Sequence, residues 1–440
     1  MSLVIEADWE ALGSGSECER ACFSALGIRH GDLWLTEAED TFVRCIRQKV
    51  HLSAYPLAEW LAWNYWRLRF EPHKATLDWA LAHRLATIGG GYVWPNITVV
   101  SDGKWIDWVA KPTVLREKEP LRYVSDARVV VSENEFEHAI DGFVEQVLGR
   151  LRAEGIADNP LLGIWTDVRA ERADPKQALR RKLEALLGCD PDQASVEELD
   201  TLVADSASLG THAMEEVAAG RKSDAPVWTG DELRQTARSA GFDLKPADAV
   251  RWTKSATNRR SGSVIAHELG AQAAQALRDQ ERLGVSPISN QRLAELSGMS
   301  VDVLTGGRKA KTVSPTGLLP LSFALDQDEK CARIVLRSRW KTGRRFDAAR
   351  LLFDRMLSAR DKEALFPATA AYTYRQKAQR AFAAEFLCPF SELEGMLQGD
   401  YSSWSIEEAA SHFDVSELAV KTALVNHGYI SRETLTADCF

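Results

Sequence analysis

The sequence lacks the marks of several protein classes. No uninterrupted apolar run reaches the ~18 residues that a membrane-spanning helix needs, and the N-terminus has neither the basic start nor the apolar segment of a signal peptide. The 7 cysteines are an odd number scattered over 440 residues, which favours reduced, buried thiols over a disulfide framework. These absences predict a cytoplasmic protein with no membrane partner.

An excess of positive charge is absent as well. The formal net charge is −9 at pH 7, so any contact with a polyanion must be confined to a local basic face. The hydrophobic fraction is 45%, which can fill more than one core, and 440 residues exceed what a single core usually supports. The sequence therefore predicts at least two domains.

Pairs of histidines at metal-ligand spacing are missing too. None of the 9 histidines stands three or four residues from another, so no helix can present the two imidazoles of a zinc peptidase. Cys18 and Cys22 are one helical turn apart, but a metal site would need two further ligands, and the nearest is a lone His30. Packed core thiols are the simpler interpretation. No metal or cofactor is expected.

Residues 1–220 are predicted to form a helix-rich α+β domain. Apolar residues at three and four spacing indicate helices at 17–26 and 37–50. Extended segments around an Asp-Gly turn predict a β-hairpin at 97–109, and 128–132 is expected to add a third strand.

Tryptophans at intervals of three mark the segment 55–70. Trp60, Trp63 and Trp66 would lie along one helix face, with Trp79 on the next helix. Such a face usually packs into a core, but it could instead stack nucleic-acid bases while nearby cations contact phosphates. The cations available for this second interpretation are Arg67 and Arg69.

A connecting segment is predicted at 221–261, where two stretches have linker composition, and a second compact domain at 262–440. Its predicted elements are a helix at 264–283, strands at 321–325 and 331–336, a helix at 345–358 and a helix-turn-helix-like tail at 405–430.

In this order the segments resemble the ImmA/IrrE family of zinc metallopeptidases, bacterial regulators that cleave repressors. Arg345-Phe346 followed by Ala349 is similar to the Arg-Phe-x-x-Ala before that family's His-Glu-x-x-His. Residues 382–389, Phe-Ala-Ala-Glu-Phe-Leu-Cys-Pro, resemble its Phe-Ala-Ala-x-Leu-Leu-Met-Pro. The resemblance covers about 263–430 and implies a zincin-like domain with a small sheet and an active-site-type helix.

The metal ligands of that family are missing. Aligned on the Arg-Phe motif, Arg350 holds the first His position, Leu351 the Glu position and Asp354 the second His position. A guanidinium cannot coordinate zinc, leucine cannot act as a base, and residues 376–380, where the downstream acidic ligand belongs, contain no carboxylate. The resemblance therefore implies a pseudo-peptidase, a non-catalytic regulatory or complex-forming protein that binds another protein in stress response, mobile-element control or phage defence.

Cationic residues crowd the same helix and the strand before it. They predict a face that binds an acidic protein or nucleic acid, with a merely solvated face as the alternative, and Asp354 is placed to pair with Arg350 across one helical turn. This predicted basic face consists of Arg333, Arg337, Arg339, Trp340, Lys341, Arg344, Arg345, Arg350, Arg355 and Arg360.

Two other functions stay open. A nucleic-acid-binding regulator would use the predicted basic face and the tail, whose second helix is poor in cations and offers mainly Lys421. An enzyme would need catalytic groups in the N-terminal domain. The polar residues considered there, which form no recognisable set, are His83, Asp107, Glu135 and His138.

Overall fold

A computed structural model describes residues 2–114, 121–222, 225–246, 248–252, 264–306, 320–326, 331–357 and 363–431. The chain divides into two compact units, Met1–Leu199 and Asp200–Phe440, so the division precedes the boundary expected near residue 220.

The N-terminal unit combines small antiparallel sheets with helices. Its strands are β1 Leu3–Trp9, β2 Phe23–His30, β3 Leu33–Trp34, β4 Ala38–Asp40, β5 Cys45–Arg47, β6 Val50–Ser53, β7 Ile97–Ser101, β8 Trp105–Ala110, β9 Leu121–Tyr123 and β10 Ala127–Ser132. Its helices are α1 Glu17–Ala21, α2 Ala54–Trp63, α3 Tyr65–Phe70, α4 Leu77–His83, α5 Glu133–Ala153, α6 Pro160–Ala173 and α7 Pro175–Leu187. Helix α8, Val196–Leu209, contains the division point.

The first fifty residues form strands in place of long helices, so the helices predicted at 17–26 and 37–50 are wrong apart from the short α1. Strand β1 buries Leu3, Ile5 and Ala7, which is every second residue, and it pairs antiparallel with β2 along its whole length. Strand β6 pairs with the first half of β2. Burial of every second residue, together with pairing to a strand elsewhere in the chain, is typical of a β-strand. It outweighs the helical spacing of the apolar residues.

The predicted hairpin and third strand are confirmed. Strands β7 and β8 pair antiparallel with Ser101 opposite Ile106, and β10 pairs with the other edge of β8. The Asp102 carboxylate accepts hydrogen bonds from the backbone N–H groups of Lys104 and Trp105, at 3.1 and 2.8 Å. These contacts close the turn and fix the register of the hairpin.

The C-terminal unit is built around one antiparallel sheet with strand order β11-β13-β12-β14. Its strands are β11 Phe242–Leu244, β12 Ser322–Asp326, β13 Ala332–Val335 and β14 Leu365–Ala368. Its helices are α9 Thr211–Ala219, α10 Gly230–Ala240, α11 Ala266–Gln280, α12 Asn290–Ser297, α13 Val301–Thr305, α14 Lys341–Leu357, α15 Tyr374–Leu387, α16 Phe390–Leu397, α17 Ser403–Phe413 and α18 Glu417–Asn426.

The expected order of helices and strands in this unit is confirmed, although 221–261 is more than a connection because it supplies α10 and β11. Helices α11 and α15 pack closely where Gly270 faces α15. A Cβ atom on Gly270 would stand 2.3 Å from the Ala378 carbonyl oxygen and 2.6 Å from the Phe382 nitrogen. Glycine is therefore required for this approach, which sets α15 beside α14.

The tail has the shape of a helix-turn-helix. Helix α17 ends at Phe413, the following residue Asp414 has a φ of 53°, and Ser416 caps the start of α18. The helix-rich α+β class is confirmed, whereas the zincin-like assignment stays a prediction. Within the described ranges, no helix has both the length and the apolar content to span a bilayer.

Candidate functional site

Helix α14 is buried on nearly all of its surface. Every residue from Arg344 to Arg355 is buried except the half-buried Phe346, so six charged side chains lie in the interior. Charged groups are retained in a core when hydrogen bonds and counter-charges replace their hydration. The contacts of these side chains therefore define what the helix can do.

Arg350 lies at the position that corresponds to the first zinc ligand of the resembled family. Only 2% of it is exposed. Its Nη2 donates to the Thr369 carbonyl oxygen at 2.6 Å and to Gln376 Oε1 at 2.5 Å, and its Nη1 lies 3.6 Å from Asp347 Oδ1. Burial lowers the pKa of Arg350. The position thus holds a cation anchored by α15 and by Thr369, the residue that follows β14.

Asp354 pairs with Arg375 on α15, and not with Arg350 as the sequence predicts. Arg375 contacts both carboxylate oxygens, with Nε to Oδ1 at 2.6 Å and Nη2 to Oδ2 at 2.8 Å. The same guanidinium lies 2.8 Å from Glu363 Oε2. A planar guanidinium matches a carboxylate in this two-point geometry, which explains why α15 supplies the partner of Asp354.

Glu216 on α9 completes the buried cluster. Its Oε2 accepts a hydrogen bond from Thr373 Oγ1 at 2.7 Å, and 6% of the residue is exposed. Burial raises the pKa of Glu216 to about 7, against the opposing effect of Arg375. We call the following set the α14–α15 polar network: Glu216, Asp347, Arg350, Asp354, Glu363, Arg375 and Gln376.

Sequence reasoning missed three members of this network, Glu216, Glu363 and Arg375. Glu216 had a detectable signal, because it interrupts a helical run of small and apolar residues at 213–219. For Glu363 and Arg375 the sequence carries no comparable signal, since Arg375 is 12 residues from its partner Glu363 and 21 from its partner Asp354.

Two further arginines of the predicted basic face are directed inward. Arg345 donates to the carbonyl oxygens of Asp414 and Ile288, at 3.0 and 2.7 Å, and to Asn290 Oδ1 at 2.5 Å. Arg344 Nε donates to the Val303 carbonyl oxygen at 2.6 Å. Burial lowers the pKa of both arginines.

Three other cations of that face are held in ion pairs. Arg355, which is buried, contacts both oxygens of Asp326, at 2.6 and 3.2 Å. The half-buried Arg333 lies 2.9 Å from Asp243, and the exposed Lys341 lies 2.6 Å from Asp414. Together with those of Arg344, Arg345 and Arg350, these contacts engage most of the predicted basic face within the chain.

The rest of the predicted basic face within the described residues is the short segment that leads into α14, which we call the α14 rim and define as Arg337, Arg339 and Trp340. Arg337 is half-buried, with its Nε 4.0 Å from Asp347 Oδ2, and Arg339 and Trp340 are exposed. The Arg339 guanidinium lies 4.9 Å from the centre of the Trp340 ring, 67% of which is exposed. Arg360 lies outside the described residues.

The tryptophan stripe does not form one exposed face. Helix α2 ends at Trp63 and α3 begins after Asn64, so the stripe is interrupted. Trp60 donates to the Leu81 carbonyl oxygen at 3.3 Å, Trp63 is 55% exposed, and Trp66 is buried with its Nε1 donating to Glu171 at 2.7 Å.

The two arginines beside the stripe are buried as well. Arg67 donates to three carboxylates, and Arg69 pairs with two carboxylates and with the Gly103 carbonyl oxygen at 2.7 Å. Each nitrogen of both guanidinium groups is engaged within the fold, so these two arginines do not present the exposed cations that phosphate contacts require.

The polar residues considered for an N-terminal active site lie in separate contacts. His83 lies 3.1 Å from Glu71 and 2.9 Å from the Val99 carbonyl oxygen. Asp107 pairs with Arg128 at 2.7 Å. Glu135 accepts the Leu3 N–H at 2.8 Å, and His138 lies 2.6 Å from the Asn134 carbonyl oxygen.

The cysteine interpretation is confirmed. Cys22 is fully buried in the core of the N-terminal unit, Cys18 packs against that core, and burial raises the pKa of both thiols. In the part of the chain that the structure describes, no three His, Cys, Asp or Glu side chains are grouped as a metal site. Lys421 is half-buried on α18, where Glu417 and Leu418 are exposed.

Comparison with known proteins adds no relative: no family model matches the sequence, and neither a curated protein nor a solved structure matches the chain. The likeness to the ImmA/IrrE family therefore depends on the short motifs quoted above.

Proposed function

We propose that this chain is a non-catalytic regulatory or complex-forming protein built on an ImmA/IrrE-like scaffold, and that it binds a partner protein. The observation that supports this proposal best is Arg350. At the position where the resembled family holds a metal ligand, this chain buries a guanidinium bonded to Thr369 and Gln376. A fixed cation repels a metal dication, and guanidinium has no lone pair to donate. By analogy with the family, the setting is stress response, mobile-element control or phage defence.

The α14 rim is the part of the predicted basic face that we assign to the partner. Exposed Trp and Arg side chains are the residue types that contribute most to protein–protein binding when a partner buries them. The Arg339 guanidinium lies within cation–π distance of the Trp340 ring, a contact that favours one arrangement of the two side chains before binding. The two arginines of the rim favour an acidic segment of the partner.

The test is affinity capture of the tagged full chain from the cells that encode it, followed by mass spectrometry. We expect the double variant Arg339→Ala/Trp340→Ala to lose the partner by at least about tenfold, because it removes both rim anchors. Trp63→Ala is the matched control, since Trp63 is a similarly exposed tryptophan outside the rim. It is expected to capture the partner at the wild-type level.

Two outcomes contradict the proposal. If treatment with nuclease abolishes retention, the ligand is nucleic acid and the alternative regulator function applies. If metal analysis of the purified native chain finds stoichiometric zinc that depends on residues of α14, the non-catalytic assignment is wrong.

A further inference from the structure

A cavity of about 220 Å³ lies in the C-terminal unit beside α14. The helix lines it with Ala348, Leu351, Leu352, Arg355 and Met356, which share a face distinct from that of Arg350 and Asp354. Strands β11 and β13 and the end of α12 supply other walls, which are mostly apolar. Among these other wall residues are Leu244, Val250, Trp252, Ser297, Met299 and Ile334.

Three residues of the wall each carry a buried polar atom that has no hydrogen-bond partner in the described part of the chain. These atoms are Trp252 Nε1, Ser297 Oγ and Arg355 Nε. Ser297 is 4% exposed and Arg355 is 9% exposed. Buried donors are almost always paired in folded proteins, and leaving one unpaired costs free energy. Three such atoms around one cavity indicate that an acceptor from outside the chain satisfies them.

The polar side chains of the cavity wall indicate the charge of that acceptor. Trp252 and Arg355 can only donate, and Ser297 can donate. The other nitrogens of Arg355 are bound by Asp326 in a two-point ion pair, which compensates its charge. Arg251, an exposed residue of the wall, adds one more cation. A ligand with a single negative charge therefore balances the site.

The volume of the cavity and its apolar wall indicate the size and the apolar part of the ligand. A cavity of ~150 Å³ accommodates benzene, whereas drug-sized ligands need roughly 300 Å³ or more. The thioethers of Met299 and Met356 make favourable contacts with aromatic rings. We propose that this cavity binds a small single-ring aromatic carboxylate, whose oxygens accept hydrogen bonds from Trp252, Ser297 and Arg355. The inference goes beyond the partner-binding function and does not rest on it.

The experiment is calorimetric titration of the full chain with benzoate and phenylacetate, with benzyl alcohol and toluene as uncharged probes of the same ring. We expect saturable binding of one carboxylate per chain, about tenfold tighter than that of benzyl alcohol. Trp252→Phe and Ser297→Ala each remove one donor and are expected to weaken binding about five- to tenfold. Equal affinity for toluene and benzoate, or no binding of either carboxylate, would overturn the proposal.

Two further variants locate the binding. Ala249→Phe places a ring in the cavity and is expected to abolish binding, whereas Trp404→Phe changes an exposed tryptophan elsewhere in the unit and is expected to leave it unchanged. Circular dichroism shows whether each variant folds. If a variant does not fold, Ser297→Ala, the smallest change, decides the test. Wild-type affinity in folded Ala249→Phe contradicts the proposed location.

Discussion

Each unit buries arginines, but the two clusters satisfy them differently. In the N-terminal unit, each of the three nitrogens of Arg67 donates to its own carboxylate. The Nε–Glu71, Nη2–Asp78 and Nη1–Asp190 distances are 2.7, 2.7 and 3.0 Å. Arg69 likewise uses all three nitrogens. Every side-chain nitrogen of these two arginines therefore has a partner within the fold.

In the C-terminal unit, three arginines of α14 each keep one buried nitrogen without a partner. The nitrogens are Arg344 Nη2, Arg350 Nε and Arg355 Nε. Arg344 and Arg350 also hydrogen-bond to main-chain carbonyl oxygens, which are neutral acceptors and compensate a cation less well than carboxylates do. The interior around α14 is therefore polar, buried and incompletely paired.

The difference distinguishes a structural cluster from a site that can accept something more. In a fully paired cluster, folding alone supplies a hydrogen-bond partner for each group. Any ligand would therefore have to displace an existing partner. Orphaned donors instead gain a hydrogen bond when an acceptor arrives. On this comparison α14, and not the tryptophan-rich region, is where ligand binding should be sought.

The largest expected effect comes from breaking the fully paired cluster. Arg67→Met leaves the carboxylate of Glu71, which is 1% exposed, without its arginine partner, and we expect a loss of about 3–5 kcal/mol in the free energy of unfolding of the N-terminal unit. Urea denaturation measures it. The control is Arg128→Met, which breaks the exposed pair with Asp107 and should cost at most about 1 kcal/mol. Equal costs for the two variants would refute the distinction.

A pH-dependent effect of intermediate size is expected from Glu216. Burial raises the pKa of its carboxyl to about 7, whereas in the unfolded chain it ionises near 4.5. Between these values the unfolded state has lost a proton that the folded state keeps, so this group's contribution to stability falls as pH rises from about 4.5 to about 7. Glu216→Gln removes that dependence.

The measurement compares the free energy of unfolding of Glu216→Gln and wild type at pH 5 and pH 8. We expect the difference to move by about 2–3 kcal/mol in favour of the variant at pH 8. Glu408→Gln, an exposed substitution on α17, is the control for removing a carboxyl from the surface. A difference that is the same at both pH values would contradict a raised pKa for Glu216.

Local sequence patterns predicted the elements whose partners are adjacent in the chain. The hairpin of β7 and β8 is an example, because its turn and both strands lie within fourteen residues. Strand β1 was missed, since its period-two pattern acquires meaning only through pairing with β2, where Leu3 lies opposite His30. The strand propensity of a short segment does not reveal which other strand it pairs with.

The candidate site likewise has features that the sequence predicts and features that it does not. The position of Arg350 and Asp354 on one buried helix follows from the motif and the helical period. The direction of the arginines does not follow from it, because the acceptors of Arg345 are Ile288 and Asp414, which lie far away on either side in the chain. A run of arginines has the same sequence pattern whether it faces solvent or a set of carbonyl oxygens.

The smallest effect expected here is that of Arg350→Met, which tests the incompletely paired cluster directly. The variant loses the hydrogen bonds to Thr369 and Gln376, but it also removes a buried charge and an unpaired Nε. These contributions oppose each other, and Asp347 keeps its hydrogen bond from Ser322 at 2.6 Å, so we expect a loss of only about 1–2 kcal/mol. Urea denaturation followed by hydrogen exchange of α14 and α15 measures it. A loss in the free energy of unfolding as large as that of Arg67→Met would contradict this expectation. It would mean that neutral acceptors stabilise a buried arginine as well as carboxylates do, and that the unpaired nitrogens of α14 do not weaken its packing.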